Sequence, residues 1–494
     1  MTKKLAVILL ALIMAVSCAT PARVNMETEW LTEQERIFGL SLIWRRAAEM
    51  SPFISALPEG ADWDALFLEH IPKVVNAADM VEYYEILNRF VARLADGKSS
   101  VQFPASITPY VFPLNVRYID SRFIVLGANP NFTGIPLGSE IVRVNGIPAN
   151  DFLESNFGDL FSNRTPVVRQ NSLAQHFTSA LRQRTMTLDA VTPDGSAMRE
   201  TASFLPLSED LFAAFNEMNW LQAQQPGGSA IPLAHGATAM AFDEGIHHIR
   251  ILTFANPELP EAVRQYIESV AGAARGFILD VRGNGGGTSD ILILSQFADP
   301  RQFPVVRAYR QVRDAGLMGF AASLVGAEIM GMTVPDGLWE ITAHGRTVSQ
   351  GLDMLESRHL EPLYDFGGAD MWDPDLLYQR SLRLFDIPVV ILADHGSASA
   401  AETFVLAAQG VNNFTVMGTN TTGMAGDTPP FLLPGGGFLG LNIVKQLTPD
   451  GQVINNHGIQ PDIWVEQSLS YLLNGIDNQL VAALEYLRER IGNR

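Results

Sequence analysis

Two short loops in this 494-residue chain carry residue types that could do covalent chemistry. The first is His395-Gly396-Ser397-Ala398-Ser399-Ala400-Ala401-Glu402, which follows the apolar run Val389-Val390-Ile391-Leu392. Small residues on both sides of Ser399 permit a tight strand-to-helix turn that presents its hydroxyl at a helix N-terminus, the logic of a nucleophile elbow, although Gly-x-Ser-x-Gly is absent. Ser399-Ala400-Ala401-Glu402 also fits a capping box, in which the serine only caps a helix. The second loop, Asp280-Val281-Arg282-Gly283-Asn284-Gly285-Gly286-Gly287, closes the apolar run Phe277-Ile278-Leu279. Its glycines let a ligand approach backbone amides closely, and such an N–H array can stabilise an oxyanion. Taken alone, it is equally a strand-to-helix turn.

Both loops need rigid elements to hold them. From about residue 240, strand-like runs (His247 to Phe254, 277–281, 389–392, 414–418) alternate with helical stretches (Gln265 to Ala273, Ala400 to Gln409). That alternation predicts an α/β core with buried parallel strands. Upstream, residues 31–104 read as helical: Thr32-Glu33-Gln34-Glu35 is a capping-box pattern followed by Ile37, Leu40, Ile43 and Trp44, and further helices are expected near 63–75 and 78–94. Residues 105–204 read as short strands and turns, with Asn145-Gly146 closing one of them. The stretch Pro136 to Gly146 resembles a PDZ-like signature, and PDZ domains bind extended peptides by strand addition. The core is expected over 205–470 and a final helix over 471–494. The stretch 300–380 shows no usable pattern.

Composition narrows the partners. A formal charge of −19 argues against nucleic acid. Lys3 and Lys4 precede an apolar run from Leu5 to Val16, too short to span a bilayer and suited to a signal peptide over 1–17. Ala15-Val16-Ser17-Cys18 then resembles a bacterial lipoprotein cleavage box, and Cys18 is the only cysteine. A single thiol makes no intramolecular disulfide, so lipidation of Cys18, with 18–30 as a tether, is the expected use. The chain would then be exported and held in the cell envelope. No His-Glu-x-x-His and no cysteine cluster occurs, so neither a metal nor another cofactor is expected. His247 and His248, adjacent in a strand, would point to opposite faces and make poor joint ligands.

Together the two loops resemble the tail-specific (C-terminal processing) serine peptidase family, whose "D-x-R-x-N-x-G-G" loop precedes a "G-[ST]-A-S-A-x-E" turn. The resemblance extends to Gly418-Thr419-Asn420-Thr421-Thr422-Gly423, Leu433 to Gly437 and Gly458 to Asp462. It reaches Trp63-Asp64, Glu82-Tyr83-Tyr84 and Leu94-Ala95-Asp96-Gly97, which resemble the tricorn-like branch. It implies a polypeptide substrate, Ser399 as nucleophile, and an oxyanion hole at the amides of Gly286 and Ala400. One branch of the family uses a lysine as base where this chain has Met424. The tricorn-like branch uses a histidine where this chain has Lys98.

That exchange is informative. Of 34 basic residues five are lysines, and outside the leader only Lys73, Lys98 and Lys445 remain against 29 arginines. A random basic replacement here would have been arginine, which does not lose its proton, whereas a desolvated lysine can. A Ser399/Lys98 dyad is the expected arrangement. The other readings are Lys445 or His395 as base, or loss of the base on a scaffold that only binds peptides or hydrophobic ligands, as retinoid-binding relatives of this fold do.

Overall fold

A computed structural model describes residues 30–492 apart from 58–59, 95, 162–163, 224–228, 288–289, 304–305, 313–358 and 367–373. The leader, Cys18 and most of the tether therefore lie outside the described residues, as does most of the unpatterned stretch 300–380.

The chain opens with three helices, α1 (Glu33–Met50), α2 (Trp63–Val75) and α3 (Met80–Val91). Each starts on a side-chain cap from Thr32, Asp62 or Asp79, which supplies an acceptor to amides that have no partner within the helix. At α1 the capping box closes: the Thr32 amide donates to Glu35 at 2.8 Å and the Glu35 amide to Thr32 Oγ1 at 3.3 Å. Strand β1 (Ser100–Gln102) follows. Next comes an antiparallel module with β2 (Leu114–Ile119), β3 (Arg122–Ala128), β4 (Glu140–Val144), β5 (Thr185–Val191) and β6 (Ala197–Ser203). Its own apolar core gathers Phe123, Val125, Ile141, Val144, Leu153, Phe177 and Leu188.

The third unit is built on one seven-stranded sheet. Its strands are β7 (Ile231–Ala234), β8 (Ala237–Ala241), β9 (Ile246–Ile251), β10 (Gly276–Asp280), β11 (Val389–Ala393) and β12 (Phe414–Gly418), with β15 (Ile463–Trp464) at the far edge. Pairings from β9 through to β15 are parallel, and β7–β8 and β8–β9 are antiparallel. Every residue of β10, β11 and β12 is buried, because helices cover both faces. Phe277 and Leu279 point to one face, with Val263 and Ile267 of α4 (Leu259–Val270) and Phe404 of α5 (Ala400–Ala408). Ile278, Val390 and Leu392 point to the other, onto Leu480, Leu484 and Leu487 of α6 (Asn478–Gly492). Burying each such side chain contributes about 1.5–3 kcal/mol, enough to hold the strand ends, and the loops on them, in place.

Between β12 and β15 the chain returns to the N-terminal helices. Strands β13 (Pro430–Leu432) and β14 (Phe438–Gly440) form a hairpin, and β14 pairs with β1. Leu433, Leu439, Leu441 and Ile443 thereby complete the core of the helical unit. At the hairpin turn a Cβ on Gly437 would lie 2.3 Å from the Tyr84 ring, so only glycine allows this approach. The Tyr84 hydroxyl donates to the Pro434 carbonyl and accepts from the Gly437 amide, both at 2.8 Å.

Candidate active site

Ser399 sits where β11 hands over to α5, with φ 55° and ψ −120°. A non-glycine residue held there costs on the order of 1–3 kcal/mol, so the surroundings must impose it. They do so from several directions. The Ser399 amide donates to Glu402 Oε2 at 3.2 Å, and the Ala398 amide donates to the Asn284 carbonyl at 2.9 Å. Ser397 Oγ donates to the Val281 carbonyl at 2.8 Å, while both the amide and the hydroxyl of Thr422 donate to the Ser397 carbonyl at 2.9 Å. Ser397 is therefore consumed in the turn, whereas the Ser399 hydroxyl faces Lys98.

Lys98 arrives from a loop 301 residues away in sequence, and its Nζ lies 3.3 Å from Ser399 Oγ. It also donates to the Gly426 carbonyl, two residues beyond Met424. Burial pushes the Lys98 amine below the usual lysine range, against the opposing pull of Glu402, Asp427 and Asp96. The loop is held by Asp96, whose carboxylate accepts the Lys98 amide at 3.2 Å, the Ser99 amide at 2.8 Å and Asn442 Nδ2 at 3.1 Å. Asn442, fully buried, also donates to the Ala425 carbonyl at 3.1 Å, and its amide donates to Ser99 Oγ at 2.8 Å. One asparagine thus clasps the loop of Lys98 to the loop whose carbonyl orients its amine.

Glu402 is fully buried one helical turn from Ser399. It accepts from Thr421 Oγ1 at 2.8 Å and from the Gly423 amide at 2.7 Å. Burial nevertheless raises its carboxyl to about 7. Its folded-state pKa exceeds the unfolded value of about 4.3, so the native state binds the extra proton between the two. Stability is therefore expected to fall as pH rises from about 4.5 to 7. Glu402→Gln should flatten that slope, which is of order 3 kcal/mol across the window. Urea melts of both proteins at pH 5 and pH 8 measure it.

Beneath the glycine loop lies a charged network. Asp280, fully buried, accepts from Arg282 Nε at 2.9 Å and Nη2 at 2.7 Å, and from Arg250 Nη1 and His248 Nε2, each at 3.1 Å. Arg282 continues to Asp477 at 2.7 Å and Gln479 at 2.9 Å, at the start of α6. Burial alone would raise Asp280, but the charges of Arg282 and Arg250 hold its carboxyl well below the usual range. Asn284 then shapes the loop tip, donating from Nδ2 to the Ile251 carbonyl at 3.1 Å and accepting the Gly286 amide at 2.8 Å. Gly286 has φ 102°, and a Cβ there would stand 2.7 Å from the Ser399 Cβ and 3.0 Å from the Ala400 nitrogen.

The structure therefore brings Ser399, Lys98, Gly286 and Ala400 together. Among the described residues, Lys98 is the one basic side chain hydrogen-bonded to Ser399; His395 and Lys445 are not. His247 contacts Tyr266 and His248 contacts Asp280, and no group of metal-ligating side chains occurs among the described residues. Nor is any described helix long and apolar enough to cross a membrane. Sequence reasoning missed Glu402 as a buried acid, the Gly426 carbonyl and Asn442. Only the capping-box spacing hinted at the first.

Residues 245–465 match the model for peptidase family S41. Among curated proteins, the chain is 36% identical over 93 residues to a probable CtpA-like serine protease of Staphylococcus aureus (strain bovine RF122 / ET3-1), covering 19% of each chain. It is 37% identical over 90 residues to a carboxy-terminal-processing protease of Bartonella bacilliformis, covering 18% of this chain and 21% of that one. The matches thus span about a fifth of the length of these relatives. The crystal structure of mature CPAF shares the fold, with a TM-score of 0.67 at 16% identity over 93% of this chain and 96% of the other. The matched stretch, residues 245–465, contains both the glycine loop and Ser399 and is similar to peptidase family S41.

Proposed function

We propose that the protein is a serine peptidase that cleaves peptides or unfolded proteins through an acyl-enzyme on Ser399, with Lys98 as the base. The observation that carries this reading is the 3.3 Å approach of Lys98 Nζ to Ser399 Oγ, made by an amine whose burial favours its neutral form. A neutral Lys98 accepts the Ser399 proton as Oγ bonds to the scissile carbonyl carbon, and the carbonyl π electrons move onto oxygen. The oxyanion faces the Ala400 amide at the first turn of α5, with the Gly286 amide, which Asn284 otherwise takes up, as second donor. Lys98, now an ammonium held by the Gly426 carbonyl, returns its proton to the leaving amine as the C–N bond breaks. Water, deprotonated by the same lysine, then hydrolyses the ester. Residues 1–17 would export the chain, and lipid on Cys18 would tether it to the envelope.

A fluorophosphonate probe tests the nucleophile directly. Labelling should map to Ser399 and vanish in Ser399→Ala, while Ser397→Ala remains reactive. A folded protein that takes no label and turns over no unstructured polypeptide would instead be a binding protein on this scaffold.

A further inference from the structure

The reaction steps above use neither the run Gly418 to Gly423 nor the turn ahead of Gly458, yet the two are laced together against the nucleophile turn. The Thr421 amide donates to the Ile459 carbonyl at 3.1 Å, and the Ile459 amide donates back to Thr421 Oγ1 at 2.7 Å. The Thr422 amide reaches the Ser397 carbonyl at 2.9 Å, and the His457 amide closes its own turn on the Ile454 carbonyl at 3.0 Å. Within that turn Asn456 has φ 67°, a left-handed conformation that asparagine adopts more readily than most residues.

From this fixed position Asn456 bonds in two directions. Its amide donates to the Gly423 carbonyl at 2.7 Å, and its side-chain Oδ1 accepts the amide of Gly97, 359 residues earlier, also at 2.7 Å. Gly423 is in turn held by Glu402, whose carboxylate accepts the Gly423 amide at 2.7 Å through one oxygen and the Ser399 amide at 3.2 Å through the other. Gly97 directly precedes Lys98, whose Nζ lies 3.3 Å from Ser399 Oγ. Ser399, Glu402, Gly423, Asn456, Gly97 and Lys98 therefore form a closed ring, in which Asn456 joins the serine half to the lysine half. Asp96 and Asn442 tie the lysine loop to the Ala425 carbonyl instead, which Asn455 also holds at 2.8 Å.

We propose that Asn456 is a positioning residue for the reaction: by holding Gly97 it sets how closely the Lys98 amine approaches Ser399 Oγ. This rests on the peptidase reading for its effect on rate, but not for its effect on the amine. A proton passes between the two groups only at hydrogen-bond distance, and a displacement of about 1 Å can cost about 100-fold in rate. Without the bond to Gly97, the lysine loop keeps its tie to Ala425 but loses its tie to the segment that Glu402 holds. The amine then gains room to swing towards water, which favours its charged form.

Asn456→Gly is the test, because glycine adopts φ 67° without strain and the change removes only the side-chain acceptor. Asn456→Asp puts an acceptor for the Gly97 amide back. With an unstructured peptide as substrate, Asn456→Gly should lower kcat about 10- to 100-fold with KM within about twofold of wild type, and Asn456→Asp should recover most of the loss. The second readout needs no turnover. The full chain has five lysines, so carbon-13 labelling at lysine Cε gives few NMR signals, and Lys98→Arg identifies the one to follow. In Asn456→Gly its titration midpoint should move up by about one pH unit, towards the ordinary value of about 10.4. An unmoved midpoint overturns the proposal, as does a wild-type kcat in Asn456→Gly or a loss that Asn456→Asp leaves in place. If the wild type turns over no peptide but the midpoint still moves, Asn456 keeps its hold on the amine and the peptidase reading fails instead.

Discussion

Lys98→Ala is expected to lower kcat/KM for peptide hydrolysis about 10⁴-fold or more while leaving the melting temperature nearly unchanged. Lys98→Arg should be equally inactive, because a guanidinium keeps the charge but does not give up its proton at working pH. The wild-type pH profile supplies the second half of the test. Burial lowers the Lys98 amine, and in the proposed mechanism the neutral form is the one that accepts the Ser399 proton. Activity should therefore rise with pH to a midpoint below the ordinary lysine value of about 10.4. Turnover in Lys98→Ala close to wild type would remove Lys98 from the reaction, and a midpoint at or above 10.4 would contradict its burial. If Lys98→Ala is active and His395→Ala is not, the base was misassigned to the wrong loop.

The largest stability effect is expected at Asp280. Asp280→Ala leaves Arg282, itself only 6% exposed, without its main counter-ion. It also frees His248 and Arg250 from their shared acceptor. Removing one partner of a buried pair typically costs about 3–5 kcal/mol, because the remaining charge stays desolvated. Urea denaturation should show a loss of that size, against about 0–1 kcal/mol for an exposed pair such as Arg488–Glu244. Asp280 sits below its unfolded pKa, so its contribution is present above about pH 3.9 and is lost as pH falls through the folded value. Activity should fail along with stability, since the same carboxylate anchors the loop of Gly286.

Much of this was legible along the chain, for local reasons. Thr32 and Glu35 announced α1 because a capping box is a four-residue interaction. Phe277 to Leu279 and Val389 to Ala393 announced buried strands because they are continuously apolar. Ser399 and Lys98 stood out by type, the one among small residues and the other among arginines. What stayed hidden depends on approach between distant segments. Asn442 looks like any polar residue until Asp96 and Ala425 converge on it. The helical unit looked self-contained because periodicity reports that a face is buried, not what buries it. Leu439 and Leu441 come from more than 300 residues downstream.

That long return of the chain has a consequence for the order of synthesis. Lys98 is made early, and Ser399 follows some 300 residues later. Yet β1, beside the lysine loop, pairs with Phe438–Gly440, and Asp96 is clasped by Asn442, both made later still. A growing chain therefore holds Lys98 and Ser399 before it holds the segments that keep them side by side. The approach of Lys98 to Ser399 is thus a property of the nearly finished polypeptide, acquired when the hairpin docks.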